Sequence, residues 1–152
     1  MTEEATNWQQ LYPEKYLYDY YESVEPDEQQ ALKYLINFFR RIPVAKGSSL
    51  LELGCGPTVH RAIAASRYVG SIILADLLPS NLQAVQSWVD KSPHAHNWNA
   101  FTQFILQQED VDKPNSDDII LREEHTRELI KSVRPADLMS SDPLGPENRG
   151  QF

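Results

Sequence analysis

A doubly wound parallel α/β sheet is the fold class that this sequence predicts, and three features predict it. Two short apolar runs, Ser49 to Leu53 and Ser71 to Ala75, have the length of buried strands. Segments with helical apolar spacing lie before, between and after them, and alternating strands and helices imply a parallel sheet covered on both faces. The first run stops at Gly54-Cys55-Gly56-Pro57, the pattern of a strand, a tight turn and a helix. With 152 residues, 41% of them apolar, the chain has the size of one domain and the means to fill a core.

Taken in order, residues 1–10 are polar, lack a hydrophobic signal core and are expected to form a loose arm. The stretch from Leu11 to Tyr21 is unusually aromatic. Asp27 to Arg41 is predicted as an amphipathic helix: Pro26 and the acids suit its start, and Ala31, Leu32, Leu35, Ile36 and Phe39 share a face. Glu22, Glu25, Asp27 and Glu28 are expected on a solvated face. Pro43 and Gly47 end the helix. Leu50, Leu51 and Leu53 leave little polar alternation, which predicts a strand buried on both sides.

Thr58 to Tyr68 is predicted as the next helix, with Ile63 and Ala64 inward, and Gly70 breaks it. The second strand ends at Asp76. Ser80 is placed to cap a following helix in which Leu82, Val85, Trp88 and Val89 share a face. Ser92 to Asn99 is expected as a loop, and Ala100 to Gln108 fits either helix or strand. Glu109 to Asp118 is expected as an exposed connection, then Ile119 to Lys131 as a helix with Ile120, Leu129 and Ile130 inward. Val133 to Leu138 is a third strand, placed at a sheet edge by Pro135. Residues 11–139 thus form the expected domain, and 140–152 an irregular tail.

Composition excludes several functions. The formal net charge of −8 repels nucleic-acid phosphates and anionic lipid surfaces. Cys55 is the only cysteine, so neither an intrachain disulfide nor a thiolate-rich zinc site can form. His94 and His96 have no acids or cysteines clustered around them, which argues against a metal. No apolar run approaches the length of a membrane span. A cytoplasmic protein with no nucleic-acid or membrane partner is expected.

The chemistry is concentrated after the first strand. Gly54 and Gly56 let a ligand approach the backbone at the carboxyl edge of the sheet. Asp76, about 20 residues further on at the tip of the next strand, is placed to accept ribose hydroxyls. Together they describe a site for an adenosine-type cofactor. A dinucleotide site usually wants a third glycine at position 59, where this chain has Val59, and Glu52 opens a Glu-x-Gly-x-Gly pattern. Both features favour S-adenosylmethionine over NAD. An NAD-type module remains an alternative, as does a glycine pair that only shapes the turn.

Several stretches resemble the family of nicotinamide, phenylethanolamine and indolethylamine N-methyltransferases, which also includes a thioether S-methyltransferase. These are Tyr12-Pro13-Glu14-Lys15-Tyr16-Leu17 with Tyr20-Tyr21, Gly54-Cys55-Gly56-Pro57-Thr58, Asp76 with Asn81-Leu82, Asn97-Trp98, and Ala136-Asp137-Leu138 through Asp142-Pro143-Leu144-Gly145. Their combination and order cover most of 11–145. The resemblance implies a Rossmann-like sheet of S-adenosylmethionine-dependent methyltransferases, truncated here after about three strands. It implies transfer of a methyl group to the nitrogen of a small amine or aromatic heterocycle.

By the same resemblance, Tyr16 and Tyr21 would hydrogen-bond or cover the methionine end of the cofactor, and Gly54 and Cys55 would meet it by backbone. Asp76 would take the ribose hydroxyls and Asn81 would sit beside the adenosine. Asp137 would reach the adenine amino group, with Leu138 adding a backbone contact. His60 belongs to the same set but stands where Tyr is usual, and from the residues alone it is expected on a solvated helix surface. No catalytic residue is implied, because displacement at a sulfonium by a neutral amine needs alignment rather than a base. The family fold continues on the far side of the first strand, where much of its substrate pocket lies. The chain is therefore expected to expose a strand edge and to self-associate through it, and the alternative function is a catalytically incomplete cofactor-binding fragment acting through partner contact.

Overall fold

The structure, a computed structural model, describes residues 12–45 and 47–150. The expected arm at 1–10 lies outside the described residues. Two helices come first: α1 (Pro13–Tyr21) and α2 (Pro26–Arg41). Proline stands in the first turn of both, where its missing N–H costs nothing. In α2, Asp27 and Glu28 face the positive end of the helix dipole while Arg40 and Arg41 face the negative end. Leu32, Ile36 and Phe39 turn inward.

The sheet has three parallel strands in the order β1 (Ser49–Leu53), β2 (Ser71–Asp76), β3 (Ile130–Pro135). The connections are helical: α3 (His60–Ala65), then α4 (Pro79–Val89), α5 (Asn99–Gln108) and α6 (Ser116–Leu129). α4 packs against β2 and β3, whereas α2, α3, α5 and α6 pack on one another. The core joins Leu32 and Ile36 of α2 to Val59, Ile63, Ile72, Leu74, Trp98, Phe101 and Ile105. This is the expected Rossmann-like α/β arrangement, and its parallel register brings the carboxyl ends of all three strands to one edge.

Several local expectations are corrected. β2, not β1, is the buried strand: the ends of β1 are exposed, with Leu53 42% exposed, and its middle residues are only partly buried. Among the described residues β1 has a strand partner on one side only, the exposed edge that was expected. α3 is shorter than the predicted Thr58–Tyr68 segment, because the glycine turn keeps Thr58 and Val59 non-helical. Ser80 does not cap α4; the helix starts at Pro79, and the Asp76 carboxylate accepts from Leu78 N at 2.9 Å.

α5 is the helical choice of the two left open. α6 begins at Ser116, inside the predicted connection, behind a capping box. There Asn115 Oδ1 accepts from Asp118 N at 3.0 Å, and Asp118 Oδ2 accepts from Asn115 N at 2.9 Å. Ile120 is 56% exposed rather than inward, because α6 buries Glu123 and Thr126 instead. Glu123 accepts from Thr102 Oγ1 at 2.7 Å, and Thr126 donates to Ser66 Oγ at 3.0 Å, so the polar face is satisfied. β3 starts three residues earlier than expected, immediately after α6, and Pro135 closes it at an edge of the described sheet.

Candidate functional site

The turn after β1 is built by backbone conformations that disfavour side chains. Gly54 has φ +75° and Gly56 φ +61°, both in the left-handed region. A Cβ on Gly54 would meet nothing closer than Leu138 Cδ1 at 3.8 Å, and one on Gly56 would enter open space. Conformation, not crowding, therefore selects glycine there. The turn is pinned to β2, since Gly54 N and Cys55 N both donate to Ala75 O, at 2.8 and 3.0 Å. Thr58 Oγ1 closes it by donating to Cys55 O at 2.8 Å.

Asp76 sits beside this turn at the tip of β2. One carboxylate oxygen accepts from Gly56 N at 2.8 Å; the other accepts from Leu78 N at 2.9 Å and from Asn81 Nδ2 at 3.0 Å. The glycine turn and the acid are thus at the same end of the sheet and in contact. A carboxylate offers about four lone-pair sites, so three donors leave it some capacity. Asn81 reaches the site through Asp76, as a donor to its carboxylate.

The segment after β3 crosses the same edge. Ala136 N donates to Asp76 O at 2.9 Å, which carries Asp137 and Leu138 past the tip of β2. Asp137 is held by its own loop: its N donates to Pro143 O at 3.0 Å, and its Oδ1 accepts from Met139 N at 2.9 Å. Leu138 stands over Gly54 while remaining 58% exposed. Leu77 and Met139 are also exposed.

Tyr16, Tyr21 and His60 form a second group. Tyr21 is buried, with its ring 5.6 Å from that of Tyr16 and 5.3 Å from that of His60. His60 is not on a solvated surface as expected; it is fully buried, stacked on Trp98 at 5.3 Å and tilted against Phe101 at 5.2 Å. It is buried because α3 packs on α5 and points its first residue into the aromatic cluster. Its Nε2–H donates to Glu28 Oε2 at 3.2 Å, and Tyr21 Oη donates to Glu28 Oε1 at 3.5 Å. A cavity of about 600 Å³ opens beside Tyr16, Tyr20, Tyr21, Glu25 and Glu28. Its lining comes from α1, the connection after it and α2, not from the glycine turn.

Burial pushes the His60 pKa down, more than the bond to Glu28 raises it. The bond from His60 holds the Glu28 carboxyl below its ordinary range. The pair is therefore a neutral imidazole donating to a carboxylate. Burial drives the Tyr21 phenol upward, and it raises the Cys55 thiol to about 12, leaving that sulfur inert as a nucleophile.

Two contributors, Glu28 and Arg61, escaped the sequence reading. Glu28, expected on a solvated face, is instead the acceptor that joins Tyr21 to His60. Its position four residues before Leu32 and eight before Ile36 places it on the buried stripe of α2, and that was the signal available. Arg61 bonds Glu52 Oε1 at 3.2 Å and Thr58 Oγ1 at 3.5 Å, tying α3 to β1 beneath the turn. Glu52 is nearly buried and its pKa is raised by that burial. No spacing rule announces the Glu52–Arg61 pair. Among the described residues no helix is long and apolar enough to cross a membrane.

The chain resembles known proteins over nearly its whole length. The family model described as the NNMT/PNMT/TEMT family matches residues 1–151. Nicotinamide N-methyltransferase of Homo sapiens is 31% identical over 140 residues, covering 88% of this chain and 51% of that protein. Indolethylamine N-methyltransferase of Mus musculus is 30% identical over 138 residues, with the same two coverages. Phenylethanolamine N-methyltransferase of Homo sapiens is 30% identical over 99 residues, 65% of this chain and 34% of that protein. The chain spans about half the length of the first two.

Proposed function

Because the chain belongs to the NNMT/PNMT/TEMT family, we propose that it binds S-adenosylmethionine at the glycine turn and directs its methyl group to the nitrogen of a small amine or aromatic heterocycle. The observation that carries this reading is the 2.8 Å contact between Gly56 N and the Asp76 carboxylate, at the carboxyl end of a parallel sheet. Ligands of open α/β sheets bind at that end. The residues fit an adenosyl sulfonium better than a dinucleotide. Val59 is 1% exposed and stands, with a branched side chain, where a dinucleotide site usually has a third glycine for close packing of the helix on the strand.

In this reading Asp76 takes the ribose hydroxyls, with Asn81 steadying it. Asp137 and Leu138 flank the adenine, Gly54 and Cys55 offer backbone, and Tyr16 and Tyr21 serve the methionine end, with the enclosed His60 packed behind Tyr21. S-adenosylmethionine supplies a methyl group whose sulfonium charge makes the departing thioether a good leaving group. The residues of this chain bind, align and exclude water. The attacking amine brings its own lone pair, so no protein base is assigned. The amines in question resemble those for which the relatives are named: nicotinamide, indolethylamine and phenylethanolamine.

Two measurements test this. Calorimetric titration of the full chain should show S-adenosylhomocysteine binding and no NAD binding; the reverse preference would overturn the cofactor assignment. Transfer of labelled methyl groups to a panel of aromatic amines tests the reaction itself. A second reading has two observations in its favour: β1 has a strand partner on one side only among the described residues, and Tyr34, Phe38 and Leu53 are exposed. A cofactor-binding unit that acts through contact with another chain would bind S-adenosylhomocysteine yet methylate no amine in the panel.

A further inference from the structure

We propose that Glu28 is a positioning residue: its carboxylate, shared between Tyr21 at the end of α1 and His60 at the start of α3, holds the tyrosine helix in register with the glycine turn and so sets affinity for the amino-acid half of the ligand. This rests on the assignment of Tyr16 and Tyr21 to the methionine end of S-adenosylmethionine.

The geometry is that of a tie between distant segments. Glu28 bonds one side chain seven residues before it and one thirty-two residues after it. Tyr21 ends α1, and His60 opens the helix that follows the turn. His60 cannot move to compensate, because its imidazole is fully buried against Trp98, Phe101 and Tyr21. Its Nε2–H needs an acceptor there, and Glu28 is the acceptor present. Among the described residues its buried Nδ1 has no partner, so the bond to Glu28 is the one that orients the ring there. The groups facing Glu28 are Tyr21 from α1 and His60 and Arg61 from α3. A carboxylate among two donors and a guanidinium forms stronger bonds than a neutral acceptor.

The test compares two probes on the full chain. S-adenosylhomocysteine carries the amino-acid half; 5′-methylthioadenosine lacks it. Glu28→Ala removes both bonds and should weaken the first by about tenfold and the second by less than about twofold. Glu28→Gln keeps an acceptor for His60 and should recover part of that loss. If the alanine variant does not fold, the glutamine variant carries the test, with S-adenosylhomocysteine about threefold weaker and 5′-methylthioadenosine unchanged. Equal weakening of both probes would mean general damage and overturn the proposal, as would no weakening of either. Failure of the unaltered chain to bind either probe would overturn the cofactor assignment itself, a result distinct from any effect at Glu28.

Discussion

Asp76→Asn is the sharpest perturbation of the site, because it removes one oxygen and almost no volume. The carboxylate accepts from Gly56 N on one oxygen and from Leu78 N and Asn81 Nδ2 on the other. An asparagine keeps its oxygen toward the pair of donors, since the opposite flip would face two donors with an amide. Its NH₂ then points at Gly56 N–H, donor against donor, across 2.8 Å. Asp76 is 8% exposed, so water replaces the lost acceptor only in part. The expected cost is about 1–3 kcal/mol, at roughly 3 °C of Tm per kcal/mol for a domain of this size.

Binding should suffer separately. A ribose hydroxyl that loses a charged acceptor forfeits about 1.5–3 kcal/mol, a fall of about tenfold to a hundredfold in S-adenosylhomocysteine affinity. Thermal melts and calorimetric titration, run on the same preparation, measure both. An Asp76→Asn chain with unchanged Tm and unchanged affinity would show that neither the turn nor the ligand depends on this carboxylate.

Three further outcomes are expected. Arg122 forms a bidentate pair with Glu109 at 2.7 and 2.8 Å, and also donates to Ile63 O at the end of α3. The Glu109 side chain is only 2% exposed but keeps Arg67 at 3.8 Å, so Arg122→Ala should cost about 3 kcal/mol in denaturant unfolding, the lower end for a broken buried pair. His60 lies below its ordinary value of 6.5 in the fold, so the unfolded chain takes up the proton first as pH falls. Stability from this group is complete above about pH 6.5 and declines below it, and His60→Tyr should flatten that decline when unfolding is followed between pH 7 and 5. Glu52 and Glu123, whose values are raised, act with the opposite sign and are present in both chains. Finally, sedimentation should reveal concentration-dependent association, and Leu53→Lys on β1, whose outer side has no strand partner among the described residues, should reduce it. A strictly monomeric chain at all concentrations would refute the idea of a sticky edge.

Much of this architecture was legible because it rests on local rules. Apolar runs of strand length, helical periodicity in 27–41 and glycines where φ must be positive are each decided within a few residues. The Gly54–Gly56 turn and Asp76 were readable together for a reason of topology: in a parallel sheet the turn after one strand and the last residue of its neighbour arrive at the same edge. Helix α6 was misread in part because its buried face is polar. Glu123 and Thr126 go inward to meet Thr102 and Ser66, partners 21 and 60 residues away. Hydrophobic periodicity carries no information about such a face.

The sequence by itself determined the fold class, the turn and the acid beside it, because backbone conformation and strand length are short-range properties. Only the tertiary structure decided that β1 is exposed at both ends, that His60 is enclosed, and that Glu28 joins two helices rather than facing water. Burial depends on what packs against a residue, and the neighbours of His60 come from α1, α2 and α5. A pattern confined to one segment cannot record neighbours supplied by others.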